Sequence, residues 1–220
     1  MSSRAEKLLV SVGIQSVVAG VFLWIESVNG SRAIPEPAWL VTALDRSLPL
    51  VPSSVWLYVS WYATPVVLLM LPREDFRRAS AAVLAGFLMC AVGYALLPVA
   101  IDRPSLDDRE GLSAAVLGAV YAIDHPRNIF PSFHAALCAT LLGVTPGPLR
   151  LRLALGGWIA AICVSCVLTK QHYVLDVIAG LGVGAVAVIG VDATKSWIRA
   201  IQAPASRRER GTVAAGPPAR

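Results

Sequence analysis

Five stretches of this chain are apolar over the length a helix needs to cross a bilayer: Leu8 to Ile25, Val51 to Leu71, Ala79 to Val99, Leu153 to Leu168 and Val174 to Val191. A crossing helix takes roughly 17–25 such residues. Inside hydrocarbon each backbone N–H and C=O must be satisfied within the protein, which here selects helices. Only 15% of the residues are charged and 56% are hydrophobic, against about 25% charged in soluble domains. The expected fold class is therefore all-α, an integral membrane bundle.

The basic residues set the count and direction of the crossings. One set of segments, comprising the N-terminus, Pro72 to Arg78, the Gly147 to Arg152 turn and the C-terminal tail, holds 13 of the 19 Lys and Arg; the alternate set holds the other 6, namely Arg32, Arg46, Arg103, Arg109, Arg127 and Lys170. Basic flanks stay in the cytoplasm, so both termini are expected there and the number of transmembrane helices is even. A sixth helix over Pro131 to Val144 is required. It is short for a bilayer at about 1.5 Å per residue, but such a helix is tolerable when protein rather than lipid surrounds it. Residues 1–202 are thus read as one six-helix membrane domain, and residues 203–220, containing ASRRERGTVAAGPPAR, as a disordered basic cytoplasmic tail. The expected location is the plasma (inner) membrane, multi-pass, with Leu8 to Ile25 retained rather than cleaved as a signal peptide. The net charge of +5 is spread over membrane flanks, which suits anionic lipid and not nucleic acid.

Three polar residues stand where an apolar chain tolerates them least: His134 in FPSFHAAL, and His172 with Asp176 in LTKQHYVLDVIAG. An ionisable group in a membrane segment is costly unless paired or hydrated, which makes such residues functional candidates. If Tyr173 to Val177 is helical, His172 and Asp176 share a face at a spacing of four. The carboxylate then holds one imidazole nitrogen and frees the other. The charge pattern puts His134 and His172 on the same outer side, His134 just after a long outer loop of residues 100–130. Pro131 suits the first turn of a helix, so the N–H groups of Ser132, Phe133 and His134 are expected to form an anion site at the helix N-terminus. Arg103, Arg127 and Lys170 are candidate cationic clamps, and the Ser132 hydroxyl a further donor or a helix cap.

Other features read as structural. Cys90, Cys138, Cys163 and Cys166 lie in apolar runs as packed thiols, including the Cys163–Cys166 pair. Trp56, Trp61, Tyr58 and Tyr62 read as an aromatic belt, His125 as an interfacial residue, and Gly180, Gly182 and Gly184 as close helix packing. Asp107, Asp108 and Glu110 read as a solvated loop. No cluster on the catalytic side has metal-ligand spacing, and no cofactor is expected.

NIFPSFHAA followed by SCVLTKQHYVLDVIAG resembles the type 2 phosphatidic acid phosphatase (PAP2) superfamily, most of all its branch of inositol phosphorylceramide synthases and bacterial relatives. LPLVPSSVWLYVSWYATPVVLLMLPREDFRR and YALLPVAIDRP extend the likeness over roughly residues 48–182. The resemblance implies a six-helix membrane bundle in which His172 is the nucleophile taking the phosphoryl group, Asp176 orients and polarises it, and His134 protonates the leaving oxygen. Three positions depart from the phosphatase pattern. No Lys precedes Arg103-Pro104, Ser165-Cys166 stands where Ser-Arg is usual, and Phe133 replaces a small residue. The expected function is a metal-independent lipid phosphatase acting through a phosphohistidine at the extracytoplasmic face. Its expected partners are a lipid phosphate substrate and the membrane. The alternatives are a phosphotransferase, like the inositol phosphorylceramide or sphingomyelin synthases, that passes a head group to an alcohol, and an inactive protein that binds a lipid phosphate.

Overall fold

The computed structural model describes residues 3–202, so the basic tail expected over 203–220 lies outside the described residues. Helix α1 (Ser3–Asn29) is followed by a two-residue strand β1 (Ile34–Pro35) and a short helix α2 (Ala43–Ser47). The next apolar stretch, Pro52–Met70, is built from a 3-10 turn, α3 (Val55–Val59), a second 3-10 turn over Ser60–Ala63, and α4 (Thr64–Met70). Then come α5 (Arg73–Leu96), β2 (Val99–Ala100), α6 (Leu112–Ile123), α7 (Phe133–Val144), α8 (Leu149–Leu168) and α9 (Val174–Gln202). Among the described residues five stretches are long and apolar enough to cross a membrane: Arg4–Asn29, Pro52–Met70, Arg73–Leu96, Leu149–Leu168 and Val174–Arg199. They coincide with the five apolar runs of the sequence. The protein is thus a mostly helical, multi-pass membrane protein.

The break within Pro52–Met70 follows from Pro65. Proline gives no N–H and its ring crowds the carbonyl four residues back, so α3 does not run straight into α4. The turn tightens to 3-10 over Ser60–Ala63 instead, with Ser60 Oγ donating to Leu57 O at 2.6 Å and Thr64 Oγ1 to Trp61 O at 2.7 Å. Irregular backbone at this depth is tolerated where it lines a cavity, and Tyr58 and Trp61 do line one.

Short α7 is the central helix. Ala135, Ala136, Leu137, Cys138, Thr140, Leu141 and Val144 are all buried on it. It lies against α9, α5 and α8, so protein surrounds it on nearly every side. The approach to α9 is close because Gly180 and Gly184 face it. A Cβ on Gly180 would sit 2.1 Å from Ser132 O, and one on Gly184 2.2 Å from Ala136 O. Small residues one helical turn apart let two backbones meet in this way. Gly182 is different: it faces open space, with nothing within 4 Å.

One end of the bundle is basic. Glu6 pairs with Arg73 and Arg77, Lys7 Nζ donates to Leu69 O and Leu71 O at 3.1 and 2.5 Å, and Arg78 pairs with Asp192 at 2.6 Å. Arg73, Arg77 and Arg78 belong to the first turns of α5 and not to a loop. Pro72 supplies the preset φ before the helix and Glu74 and Asp75 suit its positive end. At the opposite end the stretch 100–130 is no plain loop either. It contains β2 and α6, and β2 pairs in parallel with β1, Ile34 opposite Val99. These strands form a small cap that the sequence reading missed, since two-residue strands carry no periodic signal.

Gly180→Ala is expected to destabilise the protein by about 1–3 kcal/mol, as overpacking does, whereas Gly182→Ala is expected to fall within about 0.5 kcal/mol of wild type. Thermal unfolding of both variants in detergent checks the contrast.

Candidate active site

His172 and Asp176 meet across a helix start. α8 ends at Leu168, and the chain folds back so that Gln171 N–H and His172 N–H both donate to Cys166 O, at 3.0 and 3.1 Å. Lys170 takes a left-handed φ of 52° to make this turn. Tyr121 Oη donates to Thr169 O at 2.6 Å and Val51 N to Leu168 O at 3.0 Å, which pins the turn to the cap. α9 begins only at Val174. His172 therefore lies in the turn and not on a helix face, a correction to the i,i+4 reading, although the approach it anticipated is present: His172 Nδ1 is 3.3 Å from Asp176 Oδ1. The contact is an ion-pair approach rather than a well-aligned hydrogen bond, because neither atom meets hydrogen-bond geometry with any partner. Asp176 Oδ2 accepts Tyr173 N–H at 3.1 Å, the carboxylate half of a capping box. Asp45 Oδ1 accepts Val174 N–H at 2.8 Å, so a second carboxylate stands at the positive end of α9.

His134 comes from the first turn of α7, whose cap is Ser132. Its Nδ1 lies 2.9 Å from His172 Nε2, and its Nε2 lies 3.0 Å from Tyr58 Oη. Tyr58 Oη in turn donates to Asp124 Oδ2 at 3.2 Å. Trp61 stands edge-on to the His134 ring, with centroids 4.6 Å apart. Tyr58 and Trp61 thus belong to the site and not to an aromatic belt. Their spacing of three puts both on the inner side of the broken helix, a clue that was present in the sequence.

The expected anion site at the α7 N-terminus is altered. Pro131 precedes the cap instead of occupying the first turn, and Ser132 is fully buried. Its N–H is taken by Asp176 O at 3.0 Å and its hydroxyl by Ala135 N–H at 3.3 Å. Phe133 reaches the cavity as a wall, edge-on to Phe87. Lys170 is absent from the cavity lining, since its Nζ donates to Asp45 O and Leu48 O at 3.1 and 2.8 Å. It ties the cap to the turn. Arg127 and Arg103 do line the cavity.

Arg103 is nearly enclosed, its side chain 7% exposed. It donates to Asp124 O and to Gln171 Oε1, stands 3.8 Å from Asp124 Oδ2, and lies over the Tyr121 ring. Burial pulls its guanidinium below the usual arginine range, against the opposing pull of Asp124. Arginine can only donate, so Gln171 must present its oxygen there and its NH2 elsewhere. The same logic fixes Asn128. Asn29 Nδ2 donates to Tyr94 O and to Asn128 Oδ1, which leaves the Asn128 NH2 without that partner. Four buried donors, Trp61 Nε1, Arg103 Nε, Asn128 Nδ2 and Gln171 Nε2, have no hydrogen-bond partner among the described residues, and all four residues line the cavity that holds His134 and His172. Asn128 and Gln171 stand within NIFPSFHAA and SCVLTKQHYVLDVIAG, yet nothing in those runs marks either as a cavity-lining donor.

The cavity encloses about 460 Å³. Below the histidines its walls are apolar, formed by Val18 and Phe22 of α1, Leu68 of α4, Val83 and Phe87 of α5, and Leu137 of α7. His125 is also at its rim, with Nδ1 2.7 Å from Glu26 Oε1. Among the described residues no group of three or more His, Cys, Asp and Glu is disposed to hold a metal, and Cys163 and Cys166 are free thiols.

The profile of the PAP2 superfamily matches residues 24–190. The chain belongs to the PAP2 superfamily. Its match includes every residue of the histidine cluster and nearly all of the cap. The crystal structure of Aquifex aeolicus LpxE is similar at 16% identity over 77% of this chain and 93% of that chain, with a TM-score of 0.47. No curated protein matches the chain. In this PAP2 protein the two cations absent from the usual phosphatase pattern are not replaced by Lys170. The cavity is lined instead by Arg103, Arg127 and residues carrying neutral amide and indole donors.

Replacing Lys170 by Met is therefore expected to leave KM within about twofold while costing about 1–2 kcal/mol of stability through two lost charge-assisted hydrogen bonds. Kinetics beside thermal unfolding separate the two effects.

Proposed function

We propose that this PAP2 protein is a membrane-embedded lipid phosphatase that works through a phosphohistidine on His172. The observation that carries the reading is the presence, on residues lining the cavity of the histidine pair, of four buried donors without a partner among the described residues. Buried donors without acceptors are costly, and a phosphoryl group supplies several acceptor oxygens at once. The apolar walls below suit the hydrocarbon of a lipid whose phosphate sits at the histidines.

Asp176 stands at Nδ1 of His172 and so favours the proton there, which leaves the Nε2 lone pair to attack phosphorus. The N–P bond forms as the ester P–O bond breaks, and His134 gives its proton to the leaving oxygen. Water then attacks the phosphohistidine, His134 takes a proton from it, and the P–N bond breaks to release phosphate. Asp176 stabilises the positive charge that His172 carries in between. No metal-activated water is needed on this route, so EDTA is expected to leave activity intact.

The proposed topology has six crossings, α7 being the sixth, with both termini in the cytoplasm and the site on the outer side of the plasma (inner) membrane. It is supported by the basic residues Lys7, Arg73, Arg77 and Arg78, paired in part with Glu6 and Asp192, at the end of the bundle opposite the histidines, and by protein surrounding α7 where lipid would not satisfy so short a helix.

Purified protein given phosphatidic acid or an isoprenyl pyrophosphate is expected to release phosphate. Appearance of the label only on added alcohols, from a labelled phospholipid donor, would instead make it a transferase. His172→Ala is expected to abolish turnover and His134→Ala to lower it by about 100-fold or more for alkyl leaving groups. An active His172→Ala variant would refute the mechanism. For topology, a cysteine introduced at Arg127 is expected to react with an impermeant thiol reagent on intact cells, and one at Arg77 only after lysis; the reverse pattern would put the site in the cytoplasm.

A further inference from the structure

The row Asp176, His172, His134, Tyr58, Asp124 runs across the site with successive separations of 3.3, 2.9, 3.0 and 3.2 Å, the first an ion-pair approach and the other three hydrogen bonds. Its proton count decides what the far end does. Tyr58 has one proton, and Asp124 as a carboxylate can only accept it. The Tyr58 oxygen then accepts from His134 Nε2–H. At the other end Asp176 faces the proton on His172 Nδ1. One proton is then left for the contact between the two rings, and it sits on His172 Nε2 or on His134 Nδ1. In the second arrangement His134 carries both protons and His172 Nε2 is bare, which is the pair of states the first chemical step requires.

We infer that Tyr58 and Asp124 are positioning residues for the acid: Asp124, acting through the Tyr58 hydroxyl, holds His134 in its proton-donating form and orientation, as Asp176 does directly for His172. The need arises during turnover. His172 and His134 are in contact in the free enzyme, so a phosphoryl group bonded to His172 Nε2 comes between them. His134 then loses one of its two polar partners, and Tyr58 alone keeps its ring aimed. Tyr58 is 1% exposed and Asp124 is held in turn by Arg103, so this anchor is itself rigid. The proton passed to the leaving oxygen comes from His134 Nδ1, and neither Tyr58 nor Asp124 changes its own bonding in that step.

The inference rests on the phosphohistidine reading above, and its test keeps the two apart. Tyr58→Phe deletes the oxygen with no change of ring, and Asp124→Asn keeps an acceptor for Tyr58 but removes the charge. Wild type, each variant and His172→Ala are assayed on a monoalkyl phosphate, whose leaving alkoxide needs a proton, and on an aryl phosphate bearing the same alkyl chain, whose phenoxide needs it far less. Both variants are expected to lose at least about tenfold in kcat on the alkyl ester, with KM unchanged, and no more than about threefold on the aryl ester, since acid catalysis contributes roughly 100-fold or more. Equal losses on the two esters, a change in KM alone, or no loss would overturn the inference, because a merely structural role has no preference for leaving group. Should one variant fail to fold, the other decides by the same criterion. An active His172→Ala enzyme, or a wild type that cleaves neither ester, would instead overturn the phosphohistidine reading, and the inference would fall with it.

Discussion

The site depends on one backbone hydrogen bond, from Ser132 N–H to Asp176 O at 3.0 Å. It joins the cap of α7 to the first turn of α9, and so it sets the distance between a histidine two residues after Ser132 and another four residues before Asp176. Gly180 and Gly184 make the approach possible by removing every atom that would stand between the two helices. With the helix starts locked at backbone contact, the imidazoles meet at 2.9 Å. Side-chain packing alone would leave more play than proton transfer allows, since a displacement near 1 Å costs orders of magnitude in rate.

The bilayer gives that contact its electrostatic setting. Two carboxylates, Asp124 and Asp176, and two guanidiniums, Arg103 and Arg127, sit in or beside the cavity, and Asp176 and Arg103 are nearly shielded from solvent. Interactions between charges are strong in such surroundings, and unpaired charge is expensive. Each further buried charge there would need a counter-ion. Neutral donors on Trp61, Asn128 and Gln171 cost less to bury without a partner than a charge does.

How much was legible in the sequence varied with the range of the interaction. The five long helices were evident because lipid demands an unbroken apolar run, and all five lie where the runs are. His134, His172 and Asp176 stood out for the same reason, as polar residues that lipid would reject. What escaped was made by turns. Lys170 looked like a phosphate clamp because it is one residue from Gln171 and two from His172, but its left-handed backbone swings the amine onto Asp45 O and Leu48 O. Gln171 then takes the inward place, and nothing in a single sequence says which of two adjacent turn residues faces a cavity. Tyr58 and Trp61 were misread because aromatic residues near the end of a span usually face the interface; the break at Pro65, which lets this stretch line a cavity, was visible but its consequence was not.

The placement of Asp124 is the least local of all. It closes α6, a helix with no place in the crossing pattern, and Arg103, in the segment after β2, donates to its backbone carbonyl. His172 and Asp176 are four residues apart and arrive together with one helix start. His134 and Asp124 are ten residues apart, bridged by a tyrosine from a third element. A cap of irregular chain, which contributes little to spanning the membrane, is thereby what completes the charge arrangement around His134.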